Sequence, residues 1–387
     1  MNRTWIDKYL SGDKGIWIAI FILTLFSAVA VYTSTGTLAY KKQEGNTEFY
    51  LFRHAFTLIL GLFIVYLVNK MKYTIFTRFG PLILLVSIIM LGFTLVFGTN
   101  LNSASRWLTI PIIGNTIQTS DIAKVAIILY LAGALSKKID QQLSFKELLV
   151  PVFIPILLVC ALILPANLST AAMLFVTCLV MLFVANIKFK YLLYLVGIVL
   201  VCCSLFIGTM KLLGNDGRTA TWMARIENFT SGDDKDNYQA VQAKIAVATG
   251  GLTGKKPGNS DMRNYLPHPY SDFIFAIIVE EYGILFSSIV IICYLLIFFR
   301  TIKFLHYNPK ALGTLLAFGY SFLLVFQAMI NMAVAVNLFP VTGQPLPLVS
   351  MGGTNIIFNG LALGIILSVS HQIALEKKSA LENTEAA

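Results

Sequence analysis

The chain has 387 residues, 57% of them hydrophobic and only 12% charged, with 29 Lys and Arg against 19 Asp and Glu. A soluble globular domain carries about 25% charged residues and lacks apolar runs of twenty, so this composition excludes one. It also excludes a transmembrane β-barrel, which would show ten-residue alternating segments, and the net charge of +10 sits beside apolar runs, where it sets orientation rather than binding nucleic acid.

Apolar runs of about 20 residues predict spanning helices, because lipid cannot hydrogen-bond the backbone. Ten such spans are predicted, at 16–34, 51–69, 79–97, 118–135, 149–165, 169–186, 190–213, 272–299, 311–336 and 353–372. The first lacks a convincing small-residue cleavage site and reads as a retained helix, not a signal peptide. The fifth and sixth are separated only by Ala166, Asn167 and Leu168, which predicts a tight helical hairpin. The predicted fold is an all-α polytopic membrane protein, one integral membrane domain over 1–387, with a large loop at 214–271. The polar end, 376–387, is expected to be disordered. The five cysteines all lie in apolar runs, and neither they nor the scattered histidines show metal-ligand spacing.

Alternate connections differ in charge. One set holds Arg3, Lys8, Lys14, Lys70, Lys72, Arg78, Lys137, Lys138, Lys146, Lys188, Lys190, Arg300, Lys303, Lys310, Lys377 and Lys378. The short connections of the other set hold only Lys41, Lys42 and Arg106. The positive-inside rule therefore places both termini in the cytoplasm. Segments 98–117, 166–168, 214–271 and 337–352 then face the other side, and candidate chemistry concentrates there.

In chain order, Arg106-Trp107 comes first. The guanidinium fork suits phosphate oxygens, and an interfacial Trp anchor reads equally well. Asp121 and Lys124, at i and i+3, share a helix face and can neutralise each other inside the membrane. The long loop offers Arg225, Tyr238, Gln239, Lys255 and Arg263 as candidate substrate-binding side chains. Residues 238–249 have helical periodicity, and the Gly250–Gly254 and Lys255-Lys256 cluster is only loosely like a phosphate cradle, without a Walker spacing. Asp272 stands where this loop enters an apolar helix. It reads as a general base in a partly desolvated position or as a helix cap. Glu280 and Glu281 are expected about 12–13 Å deeper along the same helix, ion-paired with Lys124 or Arg53. Segment 337–352, rich in Pro and Gly yet apolar, predicts non-helical backbone lining a cavity, with Ser350 as a further candidate. Upstream, Gln327 and Asn331 face the bundle interior.

Taken jointly, several motifs resemble the SEDS family (shape, elongation, division and sporulation). They are Ala104-Ser105-Arg106-Trp107; Asn237-Tyr238-Gln239; Ser271-Asp272-Phe273 with Glu280-Glu281; and Pro340-Val-Thr-Gly-Gln-Pro-Leu-Pro347 with Ser350 and Gly352-Gly353. The resemblance covers nearly the whole chain and is closer to the division-type branch than to the elongation-type one. It implies a peptidoglycan glycosyltransferase that polymerises lipid-linked disaccharide-pentapeptide on the outer face of the bacterial cytoplasmic membrane. It implies Asp272 as the base and undecaprenyl pyrophosphate as the leaving group. It also implies a class B penicillin-binding protein as membrane partner, expected on the eighth and ninth spans, among divisome or elongasome proteins. A divalent cation at the pyrophosphate is compatible with this chemistry, though no site for one is legible. The sequence departs from the family in reading Pro267-His268-Pro-Tyr270-Ser271 before Asp272, where a Glu and a differently placed His are usual. The competing reading is a flippase for the lipid-linked precursor, which would use Lys124, Glu280 and Glu281 along a polar route.

Overall fold

The structure, a computed structural model, describes residues 10–42, 45–101, 104–109, 116–137, 144–212, 222, 223, 225, 227, 229, 230, 238–305 and 312–385. The helices are α1 (Lys14–Ser34), α2 (Gly36–Lys42), α3 (Thr47–Lys70), α4 (Tyr73–Arg78), α5 (Gly80–Phe97), α6 (Thr119–Ser136) and α7 (Phe145–Ile163). They continue with α8 (Leu168–Val184), α9 (Phe189–Leu212), α10 (Tyr238–Gly250), α11 (Ile274–Leu305), α12 (Leu312–Ala335) and α13 (Gly353–Glu385). Among the described residues, 9 helices are long and apolar enough to cross a membrane, and the shorter α8 occupies the sixth predicted span.

Local chemistry sets several boundaries. The Asp13 carboxylate accepts from the N–H groups of Gly15 and Ile16 and starts α1. Asn167 caps α8 by accepting from the Thr170 N–H at 3.2 Å, which is why three residues suffice to turn the α7–α8 hairpin. In α7, Pro151 removes a backbone donor, and the chain relaxes into a π-turn over Leu149–Phe153.

Three features differ from the sequence expectations. First, residues 99–118 hold a small antiparallel sheet, β1 (Thr99–Leu101), β2 (Ala104–Thr109) and β3 (Thr116–Gln118), so the fold is helical but not purely so. Second, α13 runs as a helix through Glu385, into the segment 376–387 expected to be disordered.

Third, α11 is not one straight span. Gly283 has φ +73° and ψ 171°, which breaks the helix. The two backbone bonds lost there are replaced by four to the 251–256 loop. Lys255 N and Lys256 N donate to the Glu280 and Glu281 carbonyls, and Ile284 N and Leu285 N donate to Gly251 O and Leu252 O. The loop can come this close only without side chains: a Cβ on Gly254 would sit 2.3 Å from Glu281 O, and one on Gly283 would sit 2.3 Å from Leu252 O. Residues 284–305 alone are about 33 Å long, enough to cross a bilayer. Residues 274–282 are therefore an inserted half-helix that carries Asp272 at its start.

At the centre of the bundle, α6 and α12 are buried along most of their length, whereas α9 exposes Leu193, Leu200, Val201 and Leu205. On α12, Met329 is an exposed position in a helix otherwise largely enclosed, so the ninth span offers little surface to a partner. The exposed face of α11 (Ile284, Leu285, Phe286, Ile292) is the open part of the two expected docking spans. Helices α3 and α13 meet through glycine: a Cβ on Gly360 would lie 2.8 Å from Gly61 O, and one on Gly364 would lie 2.7 Å from the Val68 Cβ. Small residues four apart allow such backbone approach, which lipid-embedded helices use in place of a hydrophobic driving force.

Candidate functional site

Asp272 sits at the foot of the half-helix and against segment 340–351. Its Oδ1 accepts from Ser271 Oγ at 2.9 Å, and a Cβ built on Gly343 (φ +65°) would lie 3.6 Å from its Oδ2. Asn331 of α12 ties the two pieces together. Its Nδ2 donates to the Asp272 carbonyl at 2.8 Å and to the Gln344 carbonyl at 2.7 Å. One turn earlier, Gln327 donates to Pro345 O at 2.8 Å and accepts from Lys124 Nζ at 3.3 Å. Lys124 in turn pairs with Asp121 at 2.8 Å, both side chains nearly inaccessible, and Thr354 Oγ1 lies 3.4 Å from the other Asp121 oxygen. A line of buried polar contacts thus runs from the α6 ion pair through α12 to the backbone of Asp272.

Segment 340–351 is fixed from the other side as well. Ser350 Oγ accepts from Leu346 N at 2.7 Å and donates to Ser271 O at 2.6 Å, and Met351 N donates to Tyr270 O at 2.9 Å. Gln344 donates to Thr170 Oγ1 at 2.8 Å, and Tyr294 OH bonds the Pro347 carbonyl. Ser27, itself bonded to His54, donates to Val349 O at 2.8 Å. Leu348, buried between these anchors, is held at φ +63°, a left-handed conformation that costs an L-residue about 1–2 kcal/mol. Burial, with Tyr50 and the Asp272 carboxylate nearby, pushes the Tyr270 phenol above its usual range, so it stays neutral at physiological pH.

The predicted site residues divide into groups. Ser350 and Arg225 join Asp272's surroundings; the Arg225 Nη1 donates to Val341 O at 3.1 Å, two residues from Gly343. Trp107 lies in β2 opposite Gln118, the residue before α6, and is half-buried; the Arg106 side chain lies outside the described residues. Tyr238 and Gln239 open α10 and are exposed, while Ala240, Ala243 and Ala246 bury its other face.

Lys255 and Arg263 are engaged by protein groups. The sequence expectation for both is substrate binding, but the Lys255 ammonium meets Asp261 Oδ2 at 2.8 Å and Glu280 Oε1 at 2.9 Å. Those two carboxylates raise its pKa, Asp261 foremost. Arg263 donates to Thr33 O at 3.1 Å. The expected partners of Glu280 and Glu281, Lys124 and Arg53, are corrected accordingly: Lys124 pairs with Asp121, and Arg53 is exposed on α3. Glu280 further accepts from Ser260 Oγ and from the N–H groups of Asp261 and Met262, which satisfies a charge that burial would otherwise make costly.

The expected depth order is also reversed. Ser27, which contacts the Asp272-bearing layer through Val349, lies about 9 Å short of Thr33 along α1. Arg263, whose charge acts on Glu281, is bonded at Thr33. The half-helix therefore carries the glutamates toward the end of α1, not deeper than Asp272. Among the described residues, no three His, Cys, Asp or Glu side chains gather closely enough to hold a metal.

The family model described as cell cycle protein, FtsW/RodA/SpoVE, matches residues 13–375. The chain belongs to this family. Within it, the chain is 30% identical over 372 residues to a protein named probable peptidoglycan glycosyltransferase FtsW from Geobacter sp. (strain M18), covering 92% of this chain and 96% of that one. It is 29% identical over 375 residues to a protein of the same name from Aliivibrio salmonicida (strain LFI1238), covering 94% and 90%. Among solved structures, it is similar to a chain of a peptidoglycan synthase complex, with a TM-score of 0.74 at 22% identity over 94% of this chain and 99% of that one. It is also similar to the rod shape determining protein RodA of Thermus thermophilus, with a TM-score of 0.65 at 21% identity over 94% and 98%. The FtsW names agree with the division-type resemblance in the sequence, and the two structures share the polytopic membrane fold.

Proposed function

We propose that this member of the FtsW/RodA/SpoVE family is a peptidoglycan glycosyltransferase that polymerises lipid-linked disaccharide-pentapeptide into glycan strands, with Asp272 as its general base. The observation that carries the reading is the placement of Asp272. It begins a half-helix that bridges no membrane, and its backbone is fixed by Asn331 while one carboxylate oxygen faces the side-chain-free Gly343.

In this reading the acceptor 4-hydroxyl gives its proton to Asp272 as its oxygen bonds to the donor anomeric carbon. The bond from that carbon to the pyrophosphate oxygen breaks, and undecaprenyl pyrophosphate leaves with the electron pair. A pyrophosphate needs no proton to leave, so one base suffices. Arg225, anchored beside Gly343, is the described cation best placed to stabilise the developing charge, with Arg106 as the second candidate. The loop charges put Asp272 on the outer face of the bacterial cytoplasmic membrane, with both termini inside. A class B penicillin-binding protein would dock on the open face of α11. Beside Asp121 and Lys124, which a flippase route would use, the described cavity measures about 20 Å³, room for about one water.

The test is strand formation from purified lipid-linked disaccharide by the detergent-solubilised chain with its partner, comparing wild type with Asp272→Asn. Strands from wild type and none from an equally folded variant are expected. Strands from both remove Asp272 from the mechanism, and strands from neither favour the transporter.

A further inference from the structure

The end of the bundle away from Asp272 carries a second feature. Helix α6 runs from Asp121, in the polar line to Asp272, to Ser136, about 22 Å further on. Around that far end, α4, the start of α5, Pro151 of α7 and the start of α12 border an open cavity of about 530 Å³. Arg78 and Lys137 line it, and among the described residues neither takes part in an ion pair. Basic residues at this end are expected from topology alone, but most do not share a cavity.

The remaining lining narrows the ligand. Thr77 and Ser136 donate to their own helices, at Thr74 O and Gly133 O, and line the cavity as hydroxyls whose lone pairs remain open to a donor. A headgroup with free hydroxyls can donate to those lone pairs, and its acyl chains, which inorganic phosphate lacks, can use the apolar part of the lining. Pro81 and Leu312 form an apolar wall, and Leu82 and Leu85, 57% and 55% exposed, continue apolar surface along α5 into the span. Cations, hydroxyl acceptors and a lipid-facing wall meet at one mouth.

We propose that this cavity binds the headgroup of an anionic phospholipid bearing free hydroxyls, of the phosphatidylglycerol type. Arg78 and Lys137 take the phosphodiester, Thr77 and Ser136 accept from the headgroup hydroxyls, and the acyl chains lie along α5. The loop charges assign this mouth to the cytoplasmic leaflet, so the site is distinct from the chemistry at Asp272. Basic pockets between membrane helices are suited to such headgroups.

The test is native mass spectrometry of the full chain in detergent, titrated separately with phosphatidylglycerol, phosphatidylcholine and inorganic phosphate. Phosphatidylglycerol is expected to bind in preference to phosphatidylcholine, without competition from millimolar phosphate. The double variant Arg78→Gln/Lys137→Gln should weaken it about 30-fold, from about 1 kcal/mol per basic residue near the surface. The control Lys188→Gln/Lys190→Gln, at the same end but off the cavity, should retain it. Equal loss in the control reduces the site to general basic charge and overturns the proposal, and so does equal competition by phosphate. If the double variant does not fold, a photoactivatable phosphatidylglycerol on the wild-type chain decides. Crosslinks within 74–85 and 130–137 support the site, and crosslinks confined elsewhere overturn it.

Discussion

Asn331 makes two hydrogen bonds with one nitrogen, to the carbonyls of Asp272 and Gln344, and touches no reacting atom in the proposed chemistry. In that chemistry its role is to position Asp272. Replacing it leaves buried acceptors unsatisfied, at about 1–3 kcal/mol each. Asn331→Leu is expected to lower kcat for polymerisation on the order of 10- to 100-fold, with KM for the lipid-linked substrate nearly unchanged. A proportional loss through KM, or an unchanged kcat, sinks that role. At this scale the sequence was partly legible. Asp121 and Lys124 pair as their i, i+3 spacing predicts, because both sit on one helix. The partner of Glu280 was not legible: Lys255 lies in another element, and a one-dimensional pattern does not say which cation returns to a given carboxylate.

The break in α11 is an element-scale device. In sequence, residues 272–299 look like an ordinary span, and Gly250–Gly254 looks like a flexible basic loop. In the structure each explains the other: the glycines leave room for the loop to take over the hydrogen bonds that Gly283 releases. Gly254→Ala puts a Cβ 2.3 Å from Glu281 O at a residue held at φ +76°. It is expected to destabilise the protein by at least about 2 kcal/mol, read as a lowered unfolding midpoint in detergent, and to misplace the half-helix. Wild-type stability in that variant would mean the loop does not brace the break. The combination of a mid-span glycine with a nearby GGxxG loop was visible beforehand, but its meaning depends on the two segments being adjacent in space.

For the whole molecule, the asymmetry of basic loops predicts both termini in the cytoplasm. Cysteine labelling in intact cells tests it. An impermeant maleimide should react with a cysteine introduced at Asn259, in the 251–263 loop, and not with one at Ser379, near the end of α13. The opposite pattern inverts the topology and puts Asp272 on the cytoplasmic side. The sequence alone determined that the chain spans a membrane many times and where most spans lie. It could do so because lipid forces each spanning segment to satisfy its own backbone, which makes composition and periodicity decisive locally. Only the tertiary structure decided that α11 is broken, that the glutamates lie toward the Thr33 end of α1 from Asp272, that Lys255 pairs with Asp261 and Glu280, and that Arg263 bonds Thr33 O. These depend on contacts between residues far apart in the chain, where backbone approach and charge pairing are set by which helices pack together and not by any local pattern.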